Sequence, residues 1–380
     1  MNPFDLDRER IAGYVARHGS PLYLVSRERL RENFRRLDEG LPAAKLFYAV
    51  KANPHPLILE TLHEAGAGFD VASKGEIQAA VGAGANPRDD LIFADTVKDP
   101  RHIRYAWDIG LDDFTYDNAS ELTQIARHAP GAFVTLRLAV SNEGAVAHLS
   151  EKFGAPDDEA VPLLTAARDA GLVPRGLSFH VGSQCLDDRR WVEALETCAR
   201  VRDRARAAGI ELTMLDIGGG FPARYFREDV DIARTCGVVS EAFARLFGAG
   251  TELVAEPGRA IVADAVALVT RVISASHRAG RDWLYFDDGV YGSFLEVLLY
   301  HARYPLRAET DGPSRPYVLA GPTCDSIDVF SRDAQGRVAT EDLAAMDLDD
   351  VLVAGGMGAY TFSESTRFNG FEPPAFVAVD

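Results

Sequence analysis

The sequence lacks the features that mark membrane proteins, structural zinc sites and disulfide-stabilised folds. It contains no uninterrupted apolar run of about 18 residues, the length that a membrane-spanning helix requires. Its four cysteines are far apart and form no CxxC pair, so neither a structural zinc site nor a disulfide framework is expected. The first residues, MNPFDLDRER, show neither a basic start nor an apolar core, so no signal peptide is expected. These absences favour a reducing cytoplasm as the location.

Positive charge is also scarce. The chain carries 40 Lys and Arg against 57 Asp and Glu, which gives a net charge of −17. Such a surface repels polyanions, which argues against a nucleic-acid partner or an anionic membrane. The length of 380 residues, without any low-complexity tract, suits one large globular domain and a smaller one.

What the sequence does contain is a regular alternation of short apolar runs with longer segments of helical period. Eight strand-like runs begin near residues 45, 68, 91, 112, 133, 176, 212 and 252. Eight strand–helix units in about 230 residues fit a closed parallel (β/α)8 barrel. A doubly wound open sheet is the alternative. Pro56 predicts the first turn of one helix, and Asp117 or Asn118 predicts the N-cap of another.

The pattern changes after about residue 262, where β-rich runs are separated by turns without regular helices. This predicts a second, mostly antiparallel domain. The early run PLYLV at 21–25 precedes the barrel pattern and is expected to add a strand to that domain. We therefore expect a barrel domain at 27–264 and a β-rich domain formed by 1–26 and 265–380.

Reactive side chains stand where the barrel strands are expected to end. They are Lys51, Asp70, Arg137, His180, Ser183, the turn Gly218-Gly219-Gly220 and Glu256. Each is ambiguous alone, because a histidine at a strand end is more often structural and a glycine turn is often only a turn. Barrel active sites are built at the carboxyl ends of the strands, so these residues are expected to converge.

The chemistry of such a set is specific. A lysine partly removed from water can attack an aldehyde and form a Schiff base. A glycine-rich turn presents N–H groups to a phosphate, and Ser183 and Arg259 can add donors. Glu256 can pair with a protonated ring nitrogen, and His180 can stack on a flat ring. Aldehyde, phosphate and basic ring nitrogen together describe pyridoxal 5′-phosphate.

Several stretches carry a resemblance that spans the chain from about residue 20. They are FYAVKAN, GFDVASKGEI, SFHVGSQ, LDIGGGFP, AEPGR, DDGVYGSF, GPTCDSID and MGAYTFSESTRFNGF. The chain resembles the fold-type III PLP-dependent decarboxylases, the ornithine and diaminopimelate decarboxylase family, and is most similar to the ornithine branch. The resemblance implies an alanine racemase-like architecture, with a TIM-like barrel and a C-terminal mostly antiparallel β domain. It also implies pyridoxal 5′-phosphate as cofactor and loss of CO2 from an L-amino acid.

The resemblance also implies roles for individual residues. The cofactor residues would be Lys51 as the covalent attachment point, Asp70 beside it, Arg137 holding a neighbouring carboxylate, His180 stacked on the ring, Ser183, Gly218, Gly219, Gly220, Arg259 and Tyr360 around the phosphate, and Glu256 on the ring nitrogen. The substrate residues would be Cys324, which returns a proton to Cα, Asp325, which binds the distal ammonium, and Tyr291, Tyr300 and Phe368. In the family Cys324 and Asp325 come from the partner subunit, which implies a homodimer with two shared active sites. No metal is implied.

One segment departs from the ornithine pattern. A second substrate-binding acid is expected after DDGVYGSF, but Tyr300 stands in its place, and Glu296 lies one helical turn earlier. The resemblance therefore favours ornithine or another basic amino acid, giving a diamine of the polyamine type. It leaves open lysine, 2,4-diaminobutyrate, meso-diaminopimelate or a conjugated amino acid. A non-catalytic homologue that regulates a true decarboxylase and a racemase on the same barrel are the alternatives from other classes.

Overall fold

The computed structural model describes residues 2–143, 145, 152–223, 230–248 and 250–380. The chain groups into two units. The first unit runs from Arg31 to Pro222 and includes a second segment that ends at Ala260. The second contains the chain up to Leu30 and from Ile261 to Asp380.

Strands supply the frame of both units. Within the described residues they are β1 (Leu22–Val25), β2 (Ala44–Ala49), β3 (Gly68–Asp70), β4 (Leu91–Ile92), β5 (Asp113–Tyr116), β6 (Phe133–Arg137), β7 (Val173–Ser178), β8 (Met214–Asp216), β9 (Glu252–Ala255), β10 (Val266–Arg278), β11 (Arg281–Phe286), β12 (Leu306–Ala308), β13 (Ser314–Ala320), β14 (Glu341–Ala344), β15 (Val351–Ala354) and β16 (Ala375–Ala378).

Most of the helices follow the strands of the first unit. Within the described residues they are α1 (Arg8–His18), α2 (Arg27–Gly40), α3 (Pro56–Glu64), α4 (Lys74–Gly82), α5 (Pro100–Asp108), α6 (Ala119–His128), α7 (Ala160–Asp169), α8 (Asp188–Ala207), α9 (Ile232–Phe247), α10 (Arg259–Val262) and α11 (Leu295–Leu299). None of these helices is long and apolar enough to cross a membrane.

The first unit is the predicted barrel. Strands β2 to β9 pair in parallel in the order β4-β3-β2-β9-β8-β7-β6-β5. A parallel bridge between Phe93 and Phe114 joins the two ends of this order and closes the sheet. The Phe93 N–H donates to the Asp113 carbonyl at 3.0 Å, and the Thr115 N–H donates to the Phe93 carbonyl at 2.9 Å. Closure confirms the (β/α)8 prediction and excludes the open doubly wound sheet.

Local signals set the helix starts around the barrel. Pro56 occupies the first turn of α3, as predicted, where its missing N–H costs nothing. Of the two candidate caps for α6, Asn118 fills the role, because its side chain accepts the Glu121 N–H at 2.9 Å.

The second unit is a mixed, mostly antiparallel sheet. Its longest path runs β12-β15-β10-β11-β13-β14. The early strand β1 pairs antiparallel with β10 and parallel with β16, so the run at 21–25 does join the later sheet. Leu22 and Leu24 pack with Val269 and Val353 in the core of this unit. This sheet supports the loops that carry the second group of predicted site residues.

Candidate active site

Lys51 lies just beyond β2, in a 3-10 turn formed by Val50–Ala52, rather than at the last position of the strand. Its Nζ donates to Asp70 Oδ2 at 2.7 Å, and Asp70 is the buried last residue of the neighbouring strand β3. The Lys51 side chain is 44% exposed, and its ammonium is paired with Asp70. This geometry places an amine at the barrel rim, and its reactivity stays a prediction.

Glu76 is a neighbour of this pair that the sequence analysis missed. It closes a reciprocal cap at the start of α4: its side chain accepts the Ala72 N–H at 2.7 Å, and its own N–H donates to Ser73 at 3.3 Å. Burial raises the pKa of Glu76 to about 7, and the charges of Asp70 and Lys51 act on it. The S-x-x-E pattern at 73–76 was a visible signal for the cap, but not for the burial.

His180 follows β7 and is fixed at two points. Its Nδ1 accepts the Gly182 N–H at 2.9 Å, and its carbonyl accepts the Asn142 side chain at 2.9 Å. Burial lowers the pKa of His180 well below its usual value, and the charges of Arg137 and Lys51 act in the same direction. The imidazole is therefore neutral, with Nδ1 as acceptor, and its flat face is held in place.

The turn after β8 requires its three glycines. Gly218 and Gly220 have φ values of +64° and +104°, which disfavour any side chain. A Cβ on Gly219 would lie 2.7 Å from the Glu256 carbonyl and 3.2 Å from His180 Nε2. The turn therefore has no side chains that could cover its backbone N–H groups, which suits a phosphate cradle.

Glu256 follows β9 and forms a carboxyl pair with Asp216, the last residue of β8. Both are buried, and their side chains are hydrogen-bonded to each other. Asp216 Oδ1 also accepts the Gly218 N–H at 2.8 Å, which ties the pair to the glycine turn. Burial, with the repulsion between the two groups, raises the pKa of Glu256 well above its usual value. Asp216 lies within the quoted LDIGGG stretch, but its role was not predicted.

The remaining predicted cofactor residues of this unit lie on the same rim. Arg259 begins α10, and its Nε donates to Ser183 Oγ at 3.4 Å. Arg137 is the last residue of β6, and its guanidinium lies over the Phe153 ring at 5.0 Å. Among the described residues no carboxylate forms an ion pair with Arg137. The role that the resemblance gave it therefore stays a prediction.

A second cluster lies in the β-rich unit. Asp325 Oδ2 accepts the Tyr291 hydroxyl at 2.5 Å, and Asp325 Oδ1 accepts the Ile327 N–H at 3.1 Å. The Tyr291 ring stacks on Phe368, with 4.4 Å between centroids. The hydrogen bond to Asp325 raises the pKa of Tyr291 to about 12 and lowers that of Asp325 below its usual value. Asp325 is therefore a fixed, half-buried anion.

Cys324 stands beside this anion. It is the exposed one of four free cysteines, and its N–H donates to the Asn369 side chain at 3.1 Å. The sequence analysis missed Asn369, which has a left-handed backbone with φ of 55°. Tyr360, also in this unit, has φ of 54°, an uncommon conformation for a bulky residue. Its predicted contact with a phosphate stays a prediction.

The two candidates for the distal substrate contact differ in exposure. Tyr300 terminates the short helix α11 and is 40% exposed. Glu296 is 3% exposed, and its Oε2 accepts the Tyr304 hydroxyl at 3.3 Å. The structure thus holds Glu296 inside this unit and leaves Tyr300 at its surface.

The barrel residues fit pyridoxal phosphate. Asp70 Oδ1 is buried and has no hydrogen-bond partner among the described residues, so the rim holds an unsatisfied acceptor. The glycine turn is packed so closely that a Cβ on Gly219 would clash with the Glu256 carbonyl, so the turn consists of bare backbone. An amine, a neutral flat imidazole and a buried carboxyl pair lie on the same rim. Together these groups match the aldehyde, the ring face and the ring nitrogen of that cofactor.

The fold and the site therefore define a barrel enzyme that uses pyridoxal phosphate. Residues 27–263 match the pyridoxal-binding domain of the pyridoxal-dependent decarboxylases. The chain is 40% identical to a lysine/ornithine decarboxylase of Selenomonas ruminantium over 372 residues, 98% of this chain and 92% of the relative. It is 36% identical to antizyme inhibitor 2 of Xenopus laevis, over 98% of this chain and 82% of the relative.

Solved structures agree with these matches. A lysine/ornithine decarboxylase of Vibrio vulnificus, complexed with putrescine, aligns with a TM-score of 0.90 and 35% identity, over 98% of both chains. The chain belongs to the fold-type III family of pyridoxal-dependent decarboxylases, and its cofactor is pyridoxal 5′-phosphate. This confirms the family, the fold and the cofactor that the sequence resemblance implied.

The glycine turn gives a first testable prediction. Gly219→Ala is expected to weaken pyridoxal phosphate binding by about ten- to a hundredfold, because an added Cβ crowds the Glu256 carbonyl and costs roughly 1–3 kcal/mol. Titrating the apoprotein with cofactor and following its absorbance gives the dissociation constant. Gly237→Ala on α9, where an added Cβ meets nothing, is the matched control and should bind as the parent does. Equal affinity of the two variants for the cofactor would show that the glycine turn does not help to bind the phosphate.

Proposed function

We propose that the protein decarboxylates a basic L-amino acid, lysine or ornithine, to a diamine and CO2. The observation that supports this most is the fixed, half-buried Asp325 carboxylate beside Cys324, since an anion of this kind suits a distal ammonium. The names of the relatives, lysine/ornithine decarboxylase, point to the same substrates. The product would be a diamine of the type used to make polyamines.

A substrate panel tests this proposal. Lysine, ornithine, arginine, 2,4-diaminobutyrate and meso-diaminopimelate are each supplied to the cofactor-loaded enzyme while CO2 and amine products are measured. The proposal expects turnover with lysine or ornithine and the matching diamine. Exchange of the Cα hydrogen without CO2 release would favour the racemase alternative instead.

In the barrel unit, the proposed roles follow from the geometry. When bound, the cofactor supplies a sink for the electron pair that stays on Cα as the bond to the carboxylate breaks. Lys51 would hold the aldehyde, with Asp70 orienting its amine at 2.7 Å. Glu256, at the buried carboxyl pair, would hold a proton at the ring nitrogen. Neutral His180 would cover one ring face without adding a competing charge.

In the β-rich unit, Cys324 would give its thiol proton to Cα after CO2 has left, and the thiolate would regain a proton from solvent. The hydrogen bond from its N–H to Asn369 holds the loop that carries it. Asp325 would orient the distal ammonium, and the stacked rings of Tyr291 and Phe368 would line the aliphatic part of the substrate. We propose that a second copy of the chain brings this cluster to the barrel rim.

The exposed surface around the cluster supports a homodimer with shared sites. Leu299, Ile327, Phe368 and Phe371 are large apolar side chains of this unit that are each more than a third exposed. Exposed apolar groups near predicted site residues are typical of an interface. The free thiols of all four cysteines also support a reducing compartment such as the cytoplasm.

Tyr300 is proposed as the distal substrate contact, because Glu296 is held by Tyr304 and is withdrawn from the surface. A site with one anion and one phenol binds the ammonium less selectively than a site with two anions. We therefore propose that chain length is weakly discriminated, so that both lysine and ornithine are accepted.

Tyr300→Asp tests this assignment. A second carboxylate at the distal end adds a charge-assisted hydrogen bond of about 1.5–3 kcal/mol, so kcat/KM for ornithine should rise about ten- to a hundredfold relative to lysine. Competition between the two amino acids in one assay measures the ratio directly. Glu296→Gln is the matched control on the same helix and should leave the ratio unchanged. An unchanged ratio in Tyr300→Asp would place the distal ammonium elsewhere.

The similarity to antizyme inhibitor 2 keeps the non-catalytic alternative in view. Against it, the chain retains the predicted attachment lysine, Lys51, already paired with Asp70, and an exposed Cys324. Binding of pyridoxal phosphate without release of CO2 from any member of the panel would favour a regulatory role.

A further inference from the structure

A cavity lined by both polar and apolar side chains lies inside the barrel, on the side of the amino-terminal ends of the strands. Its volume is about 340 Å³, and its walls include Thr115, Thr135, Met214 and Asp216. Barrel interiors are normally filled by layers of branched apolar side chains. A cavity that combines hydroxyl and carboxyl groups with apolar side chains such as Phe47 is therefore a departure that calls for a physical reason.

The outer end of the cavity is charged and reaches solvent. Arg175 bridges Asp113 and Glu252, with 2.6 Å from its guanidinium to the Glu252 carboxylate. These three residues line the cavity at the amino-terminal ends of strands β5, β7 and β9. The Glu252 side chain is 42% exposed. Water therefore has access to this end.

The middle of the cavity contains a pair of threonines. Thr115 on β5 and Thr135 on β6 are register partners, and both are buried. Among the described residues, Thr135 Oγ1 has no hydrogen-bond partner. A buried hydroxyl without a protein partner is costly unless water satisfies it, and this cavity has room for several water molecules. The middle of the cavity thus fits a chain of water.

The inner end of the cavity is Asp216, which is hydrogen-bonded to Glu256. The charged groups that act on the two carboxyls are Asp70, Lys51 and Asp113. Burial raises the pKa of both carboxyls, so the pair retains a proton near neutral pH. If Glu256 holds the ring nitrogen as proposed, the cavity beside Asp216 connects the pair to the solvent-accessible end at Glu252.

We propose that this cavity is a water-filled proton route, through which Glu256 exchanges its proton with solvent by way of Asp216. A proton leaves the Glu256 carboxyl for the Asp216 carboxylate and passes from there to water, and the reverse sequence restores it. Asp216 is a positioning residue in this scheme, because it acts on the ring nitrogen through Glu256. The inference rests on the proposed cofactor roles of the barrel residues.

Infrared spectroscopy of the cofactor-loaded enzyme tests the route without measuring turnover. The carbonyl stretch of a protonated buried carboxyl shifts in D2O, and the rate of that shift reports access of solvent to the proton. Asp216→Asn should remove or displace the band, which assigns it to the pair. Thr135→Leu fills the cavity and should slow the exchange at least about tenfold, since the larger side chain excludes water. Thr135→Ser leaves the cavity open and should exchange as the parent does.

Two results would overturn the proposal. One is an equal exchange rate in Thr135→Leu and the parent, and the other is a carboxyl band that Asp216→Asn leaves unchanged. If Thr135→Leu does not fold, Thr115→Leu fills the same space from the neighbouring strand and replaces it. A wild-type enzyme that releases no CO2 but shows the predicted exchange would contradict the proposed function and leave the proton route standing.

Discussion

Replacing Lys51 with alanine is expected to remove the visible absorbance of the bound cofactor and to lower kcat/KM for CO2 release by about 10³-fold or more. The reason is geometric. The Lys51 amine lies at the barrel rim, 2.7 Å from the Asp70 carboxylate, and its side chain is 44% exposed. An alanine there leaves no group to hold the aldehyde, and it leaves the buried Asp70 carboxylate without its cation.

The same strand offers a matched control. Lys45 lies on β2 near the opposite end of the barrel, where its Nζ donates to the Asp89 carbonyl. Lys45→Ala should keep the cofactor absorbance and its titration curve. The double change Lys51→Ala with Asp70→Asn should regain part of any stability lost in Lys51→Ala, as thermal unfolding would show. A coloured, fully active Lys51→Ala enzyme would exclude Lys51 as the attachment point.

The barrel was predictable because its signal is local and repeated. Each strand-like run is short, apolar and followed by a helical period, and all eight appear as strands in the structure. The alternation alone does not distinguish a closed barrel from an open doubly wound sheet, and closure was predicted from the number of units, eight in about 230 residues. It depends on the pairing of Phe93 with Phe114, a contact between strands that are adjacent in sequence but form the last link of the ring.

The residues of the barrel rim were predictable for a related reason. A polar residue at the end of an apolar run stands out in the sequence, as Lys51, Asp70 and Glu256 do. Asp216 stands at an equivalent position, but its importance comes from its contact with Glu256, and no local pattern encodes that contact. Asn142 likewise reaches His180 from a distant loop. Contacts between strands and loops determine these roles.

The orientations of Glu296 and Tyr300 could not be predicted from the sequence. Sequence spacing places both on or beside one short helix and cannot tell which side faces out. The structure shows which side faces out: Glu296 is 3% exposed and hydrogen-bonded to Tyr304, whereas Tyr300 is 40% exposed. A helix of five residues carries too little periodicity for its buried face to be predicted from sequence.

Mixing two inactive variants is expected to restore activity. Lys51→Ala damages the barrel unit, and Cys324→Ala damages the β-rich unit. In a homodimer with shared sites, each hybrid dimer contains one site with an intact lysine and an intact cysteine. Random mixing makes half of the dimers hybrid, so about a quarter of the parent activity should return in the mixture and about half in purified hybrids. CO2 release from coexpressed, differently tagged chains that are purified as hybrids measures this recovery.

The control uses two changes within one unit. Lys51→Ala mixed with His180→Ala damages both barrels of every hybrid, so no activity should return if each site needs one complete barrel. If activity returns when Lys51→Ala is mixed with Cys324→Ala, but not when it is mixed with His180→Ala, Cys324 acts in the site of the partner subunit. If the hybrid of Lys51→Ala and Cys324→Ala stays inactive, although both tags are recovered in one dimer, each site must be built within a single chain. The exposed apolar side chains around Cys324 favour the first result, because a surface of this kind is stabilised when a second chain covers it.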